Sequence, residues 1–327
     1  MELDLVFLGT GGSVPTARRS TACLLARAGG DRLLFDCGEG SQRQMQRSTG
    51  LVQVDEIFIT HLHADHYLGI PGLLKTYDLN DREKPLRVYG PPGLIDLFSA
   101  LGRIFGRLRY EVELGELEPG EAVRHTDYEV RSFEVAHRMR AYGYALVEDA
   151  RPGHLDAEAA ARLGVTHGPD LGRLQRGEEV QGANGTVCPA DVMGDERAGR
   201  KLVVTGDTSP CEMTRLAAHQ AQVLVHDASF ADDEVARAAE TGHSTARQAA
   251  ELARDAEVEM LALVHVSSRY DVRAVLDQAR DAYKTSVAPR DFDVIEVPFP
   301  ERGAPRLIES GARPPRESRP NPGTDAA

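Results

Sequence analysis

No run of eighteen apolar residues occurs in this 327-residue chain, and its opening Met1-Glu2-Leu3-Asp4 lacks the basic start of a secretory signal. A membrane helix needs about 20 apolar residues in a row. The expectation is a cytoplasmic protein with no membrane partner. Cysteine is scarce as well: Cys23, Cys37, Cys188 and Cys211 are scattered, with no CxxC spacing. That excludes a disulfide framework and a cysteine zinc site. Cys23 and Cys37, set in apolar strand-like contexts, read as small buried hydrophobes. Positive charge is the third shortage. Lys and Arg number 38 against 51 Asp and Glu, a net charge of −13. This argues against a protein that coats nucleic acid, and no DNA partner is expected. An enzyme that grips phosphates locally, through a few arginines and bound metal, remains compatible with an acidic surface. No repeat of short period is present. Gly9-Thr10-Gly11-Gly12 lacks the Lys-Ser/Thr ending of a nucleotide loop, so it reads as a tight turn. With 41% hydrophobic and 27% charged residues, what remains is an ordinary globular protein with room for a sizeable core.

What the chain does have is Thr60-His61-Leu62-His63-Ala64-Asp65-His66, which puts four potential metal ligands into six consecutive residues. It directly follows the apolar run Val54 to Ile59, whose β-branched and aromatic residues read as a buried strand. Imidazole with carboxylate suits zinc first, with manganese and iron as rivals. Two metals need roughly seven or eight protein donors, so further ligands must lie elsewhere. His137, Asp207 and His265 each close an apolar strand-like run, and strand ends are where a rigid scaffold presents ligands to a shared cleft.

Along the chain, residues 3–9, 21–28 and 32–37 read as strands, and a helix follows Gly40 with Ser41 as its N-cap. Residues 66–79 and 92–105 read as helices around a strand at 86–89, and 109–148 is strand-rich. From Asp149 to Arg200 glycine and charge dominate and strand patterns vanish, which suggests an inserted arm with short helices. Strand and helix then alternate over 201–205, 212–219, 222–226, 233–256, 259–264, 272–284 and 292–297. From Glu301 onward, proline, arginine, glycine and serine predict a disordered tail. Strand-rich and helix-bearing halves with ligands at strand ends predict an α/β sandwich of two sheets flanked by helices.

The set His61, His63, Asp65, His66, His137, Asp207 and His265 resembles the ligand set of the metallo-β-lactamase superfamily. Further stretches narrow the resemblance to the ribonuclease Z family. They are Phe7 to Gly12, Phe35-Asp36-Cys37-Gly38-Glu39-Gly40, His137-Arg138 with Tyr142-Gly143-Tyr144, Gly206-Asp207-Thr208, Gly242-His243-Ser244-Thr245-Ala246 and His265-Val266-Ser267-Ser268-Arg269-Tyr270. The resemblance runs from about residue 3 to residue 297 and implies an αβ/βα sandwich with two zinc ions in a cleft along one edge. It implies that residues 1–300 form the catalytic domain, with 150–199 inserted as a flexible tRNA-binding arm. His61, His63 and His137 would hold one zinc, Asp65, His66 and His265 the other, with Asp207 bridging.

The implied activity is a zinc-dependent endoribonuclease that removes the 3′ trailer from precursor tRNA by metal-hydroxide attack on a phosphodiester. It would leave a 3′-hydroxyl on the tRNA and a 5′-phosphate on the trailer, working as a homodimer. The alternative is another dinuclear zinc hydrolase of the superfamily acting on a small phosphodiester or ester. Asp65 would accept a proton, His243 would act near the leaving oxygen, and Asp227 would orient His243. The family usually carries Glu where this chain has Asp227, so the shorter carboxylate must sit closer. Gly168, Pro169, Arg173 and Arg176 in the arm, and Arg269 and Tyr270, are the expected substrate contacts. Glu178, Glu179 and several Asp residues make the arm less basic than tRNA binding leads one to expect.

Overall fold

The computed structural model describes residues 2–166 and 168–312. Strand β1 (Leu3–Gly9) is buried on both faces: Leu3, Leu5 and Phe7 join one core, and Val6 and Leu8 another. A strand buried on both sides must lie in the middle of a layered structure. β2 (Cys23–Ala28), β3 (Asp31–Phe35), α1 (Ser41–Ser48), β4 (Glu56–Phe58), α2 (Ala64–Tyr67), α3 (Ile70–Leu79), β5 (Leu86–Gly90), α4 (Leu94–Phe105) and β6 (Val112–Glu116) build a first sheet and its helical cover. β7 (Ala122–Arg124), β8 (Tyr128–Glu134) and β9 (Tyr142–Glu148) open a second sheet. The chain then leaves the body as an arm with α5 (Ala157–Arg162), α6 (Gly168–Gln175), β10 (Val180–Gly182) and β11 (Gly185–Val187). It returns through β12 (Lys201–Val204), α7 (Glu212–Ala218), β13 (Val223–Asp227), α8 (Val235–Thr241), α9 (Ala246–Asp255), β14 (Met260–Val264), α10 (Val272–Ala282) and β15 (Ser286–Val287). β16 (Val294–Glu296) and β17 (Arg306–Ile308) go back to the first sheet.

The first sheet runs β17-β16-β1-β2-β3-β4-β5-β6 and the second β15-β14-β13-β12-β9-β8-β7. Leu5, Phe7, Phe58, Tyr142, Tyr144, Val204 and Val225 meet between the sheets. The outer face of the first sheet packs on α1, α3 and α4, and that of the second on α7, α9 and α10. The result is four layers, αββα, as the sequence predicts. Within the first sheet β3 to β6 run parallel, and within the second β12 to β15 do. The carboxyl ends of β3, β4, β12, β13 and β14 and the segments just beyond them carry Asp36, His61 to His66, Asp207, Asp227 and His265 to one rim, the usual place for a site in parallel sheets.

Four expectations need correction. Ser41 is not the N-cap of α1: Gly40, at φ +83°, holds that place, and the Ser41 hydroxyl donates to the Gly38 carbonyl at 2.7 Å. The helix expected over 233–256 is two helices. Gly242, at φ +76°, ends α8, and Thr245 caps α9 in a reciprocal box with Gln248. The arm does contain strands, the β10–β11 ribbon, and has a small core of its own from Ala160, Val165, Leu174, Val180, Val187 and Val192. The tail does not begin at residue 301. β17 pairs antiparallel with β16, from Glu296–Arg306 to Val294–Ile308, and Leu307 packs on the inter-sheet core. An alternating Arg-Leu-Ile triplet inside a proline- and arginine-rich stretch is enough to close a sheet edge. Residues 313–327 lie outside the described residues.

Candidate metal centre

Thr60 is the keystone of the site. Its amide and hydroxyl donate to the two carboxylate oxygens of Asp36 at 2.8 and 3.0 Å, and its carbonyl accepts from the amide of Tyr142 at 2.8 Å. The Tyr144 hydroxyl donates to the Ile59 carbonyl at 2.8 Å. The histidine-rich loop is thus clamped to both sheets before its side chains are placed. Gly206 approaches Thr60 so closely that a Cβ there would lie 2.6 Å from the threonine side chain, and its φ is +63°. Only glycine fits immediately before Asp207.

The expected ligands converge. His61 Nε2 lies 2.9 Å from His63 Nδ1 and 3.7 Å from Asp207 Oδ2, and His137 Nε2 lies 3.4 Å from His63 Nδ1. On the other side, Asp65 Oδ2 lies 3.5 Å from both His66 Nε2 and His265 Nε2. Asp207 Oδ1 is 3.5 Å from His66 Nε2 and 3.3 Å from His265 Nε2. Donors bound at ~2.0–2.1 Å in a tetrahedron are ~3.3 Å apart, so these separations are those of ligand edges. Asp207 turns one oxygen to each group.

Hydrogen bonding selects which ring nitrogen is free. His66 Nδ1 donates to Asp36 Oδ2 at 2.7 Å, and His137 Nδ1 donates to the Gly242 carbonyl at 2.7 Å. His61 Nδ1 faces the Thr60 hydroxyl at 3.1 Å, whose own proton goes to Asp36. His265 Nδ1 faces the Ser229 hydroxyl at 2.8 Å, whose proton goes to Asp227 at 2.6 Å. In its neutral form each of these four rings therefore presents a bare Nε2 to the centre, while exposed His63 presents Nδ1. His66 Nε2 and Asp207 Oδ1 are fully buried and have no hydrogen-bond partner among the described residues. Orphaned buried donors facing one another are costly unless a cation lies between them. The donor set fits a divalent metal.

Left to themselves, the carboxylates draw protons onto His66 and His265, the charge that a bound cation would replace. Burial works against a charge on His66, but Asp36 and Asp207 outweigh it and raise its pKa well above the usual value. Burial would likewise raise Asp207, but His265 and His66 hold it well below the carboxylate range. Burial opposes the Asp65 charge too, and hydrogen bonds from His265 and His66 prevail, keeping it ionised. Beside the two groups, His243 Nδ1 lies 2.7 Å from Asp227 Oδ2. The shorter carboxylate does reach its histidine directly, held by the Ser229 and Thr208 amides at 2.9 and 3.1 Å. Against the cost of burial, Asp227 raises His243 to about 9.

The chain is 49% identical over 308 residues to the ribonuclease Z of Haloferax volcanii, across 91% of this chain and 96% of that one. The chain belongs to the ribonuclease Z family. Among solved structures, human tRNase Z, short form, superposes with a TM-score of 0.66 at 26% identity, covering 90% of this chain and 99% of that one. The metallo-β-lactamase fold protein YhfI from Bacillus subtilis gives a TM-score of 0.66 at 16% identity, covering 90% of this chain and 100% of that one, which makes the fold a metallo-β-lactamase sandwich. A family model described as anti-Pycsar protein Apyc1 matches residues 3–147. That span ends before Asp207, Asp227, His243 and His265.

The expected substrate contacts are not gathered at the centre. Gly168 and Pro169 open α6 in the arm, where Arg173 and Arg176 each lie 3.0 Å from Glu178. Arg269 lies 3.3 Å from Glu234 and over the Phe230 ring, which in turn sits 6.0 Å from the His243 ring; Tyr270 packs on the outer core of the second sheet. Sequence reasoning gave no role to Asp36 or Ser229, which fix the rings of His66 and His265. Asp36 ends an apolar strand just as Asp207 and His265 do, and that pattern could have found it. Asp36 and His265 both sit at positive φ, +58° and +59°, a strained backbone that places their side chains. Nothing local marks Ser229.

Proposed function

We propose that this chain is a zinc-dependent endoribonuclease that removes the 3′ trailer from precursor tRNA. The observation that carries the reading is Asp207 turning one oxygen to His61, His63 and His137 and the other to Asp65, His66 and His265. Those seven residues would hold two zinc ions, with Mn2+ or Fe2+ as substitutes. When bound, the pair would supply Lewis acidity and a water ionised near neutral pH. Asp65, a carboxylate at neutral pH, accepts a proton from the attacking water. His243, charged at neutral pH through Asp227, gives a proton to the 3′ oxygen as the P–O3′ bond breaks. The products are a tRNA with a 3′-hydroxyl and a trailer with a 5′-phosphate. Two subunits form a homodimer, the arm grips the tRNA, with Gly168, Pro169, Arg173, Arg176, Arg269 and Tyr270 as substrate contacts, and the enzyme works in the cytoplasm. The described residues contain no helix long and apolar enough to cross a membrane.

The test is cleavage of 5′-labelled precursor tRNA by the zinc-loaded protein, with the product end mapped. A single cut just after the unpaired discriminator nucleotide, lost on chelation, is expected. No cut by protein that binds two metals would reject tRNA as substrate and leave a small phosphodiester or ester in its place.

A further inference from the structure

The hydrogen bonds and ion pairs that join the arm to the body lie, among the described residues, at its root. Among the described residues, every hydrogen bond and ion pair made by residues 154–196 stays within residues 152–197. Its orientation is therefore set where the two root segments leave the second sheet. There Arg151 and Arg197 pair through both backbone amides, at 2.7 and 2.9 Å. Both side chains converge on Glu301: Arg151 Nη1 and Nη2 donate to its two oxygens at 2.7 and 3.1 Å, and Arg197 Nη1 donates to Oε1 at 2.9 Å. The guanidinium of Arg151 lies 3.7 Å from the centre of the Phe299 ring, and that of Arg200 lies 3.9 Å from it. Arg200, buried against Glu148, donates to the Val297 carbonyl at 2.6 Å. Three arginines from the two sides of the root thus close on one five-residue segment of the chain's far end. A forked carboxylate pair and two cations on one ring fix direction as well as distance.

We infer that Phe299 and Glu301 are positioning residues that hold the arm at a set angle to the metal cleft, so that an RNA gripped by the arm meets the cleft in register. The inference rests on the proposed function, in which the arm binds tRNA and the cleft cuts it. Arm and cleft then act as two linked binding modules, and the stiffness of the link sets the effective concentration of the second contact. Neither residue touches the cleft, so a loosened clasp acts on long substrates and not on small ones.

The experiment compares full-length zinc-loaded wild type, Glu301→Gln and Glu301→Ala on precursor tRNA and on bis-p-nitrophenyl phosphate, alongside hydrogen exchange of the Arg151 and Arg197 amides. The expected result is a KM for precursor tRNA raised roughly tenfold in the alanine variant and less in the glutamine variant, with kcat within about twofold. Turnover of the small ester stays level, and the two root amides exchange faster. An unchanged KM, or an equal loss on both substrates, would overturn the inference. If the wild type cuts no precursor tRNA, the function reading falls and exchange alone judges the clasp: faster exchange in the alanine variant upholds it, and unchanged exchange rejects it.

Discussion

At the scale of residues, the second nitrogen of each imidazole decides what the first can do. His61, His66, His137 and His265 each commit Nδ1 to a neighbour and leave Nε2 for the centre. His243 is built the same way, with Asp227 as its neighbour, and in the proposed role of proton donor its charge is what matters. A proton donor works only while protonated, so turnover falls as pH rises through its pKa, which Asp227 lifts to about 9. Asp227→Asn removes the lifting charge, and His243 drops towards the ordinary value of about 6.5. The alkaline fall in kcat on precursor tRNA is then expected to begin at lower pH, with about a tenfold loss at pH 7.5, where such a histidine is only about one-tenth protonated. A profile of kcat from pH 6 to 10 checks this, and an unmoved alkaline limb would remove His243 from the role of donor. The seven candidate ligands were legible as donor types and strand ends. Which nitrogen faces the metal was not, because it depends on Asp36, Thr60, Gly242 and Ser229, up to 105 residues away in sequence.

At the scale of elements, strand ends deliver the donors and helix starts fix the loops behind them. The break between α8 and α9 is what places His243: Gly242 turns the chain, and Thr245 restarts it as the cap of α9. The apolar spacing of Ala246, Ala249, Ala250 and Ala253 buries one face of α9 under the second sheet. Thr245→Ala leaves the Gln248 amide without its partner, and a loss of about 1 kcal/mol in unfolding free energy is expected. The denaturant midpoint measures it, and Thr245→Ser is expected to recover most of the loss. Long elements such as α4 and β8 were readable from periodicity. β10, β11 and β17 were not, because three residues show hardly one alternation and their stability comes from the partner strand.

At the scale of the whole molecule, the arm has a small buried apolar cluster of its own, apart from the clusters of the two sheets. The Glu148 amide donates to the Arg200 carbonyl at 2.9 Å, so the two ends of the arm already meet at the sheet. Replacing residues 150–199 by a short glycine-serine turn is therefore expected to leave the body folded. Turnover of bis-p-nitrophenyl phosphate should stay within about twofold while precursor tRNA cleavage is lost, since the second binding contact disappears. Loss of both activities in a folded protein would take the tRNA-gripping role away from the arm. The net charge of −13 has a structural counterpart here, because arm arginines that could meet phosphate are already paired with Glu178.

The sequence by itself determined the chemistry on offer: a histidine and aspartate set without cysteine, placed at the ends of apolar strands in an α/β chain with an insertion. Residue type and local periodicity are properties of neighbours along the chain, and they carry that much. Tertiary structure alone decided the rest. It set the two oxygens of Asp207 between two groups, chose Nε2 on four rings, gave Asp36 its place behind His66, and brought Phe299 and Glu301 under the root of the arm. Those outcomes depend on directions between groups that meet only after two sheets have packed, and local pattern holds no information about direction across a core.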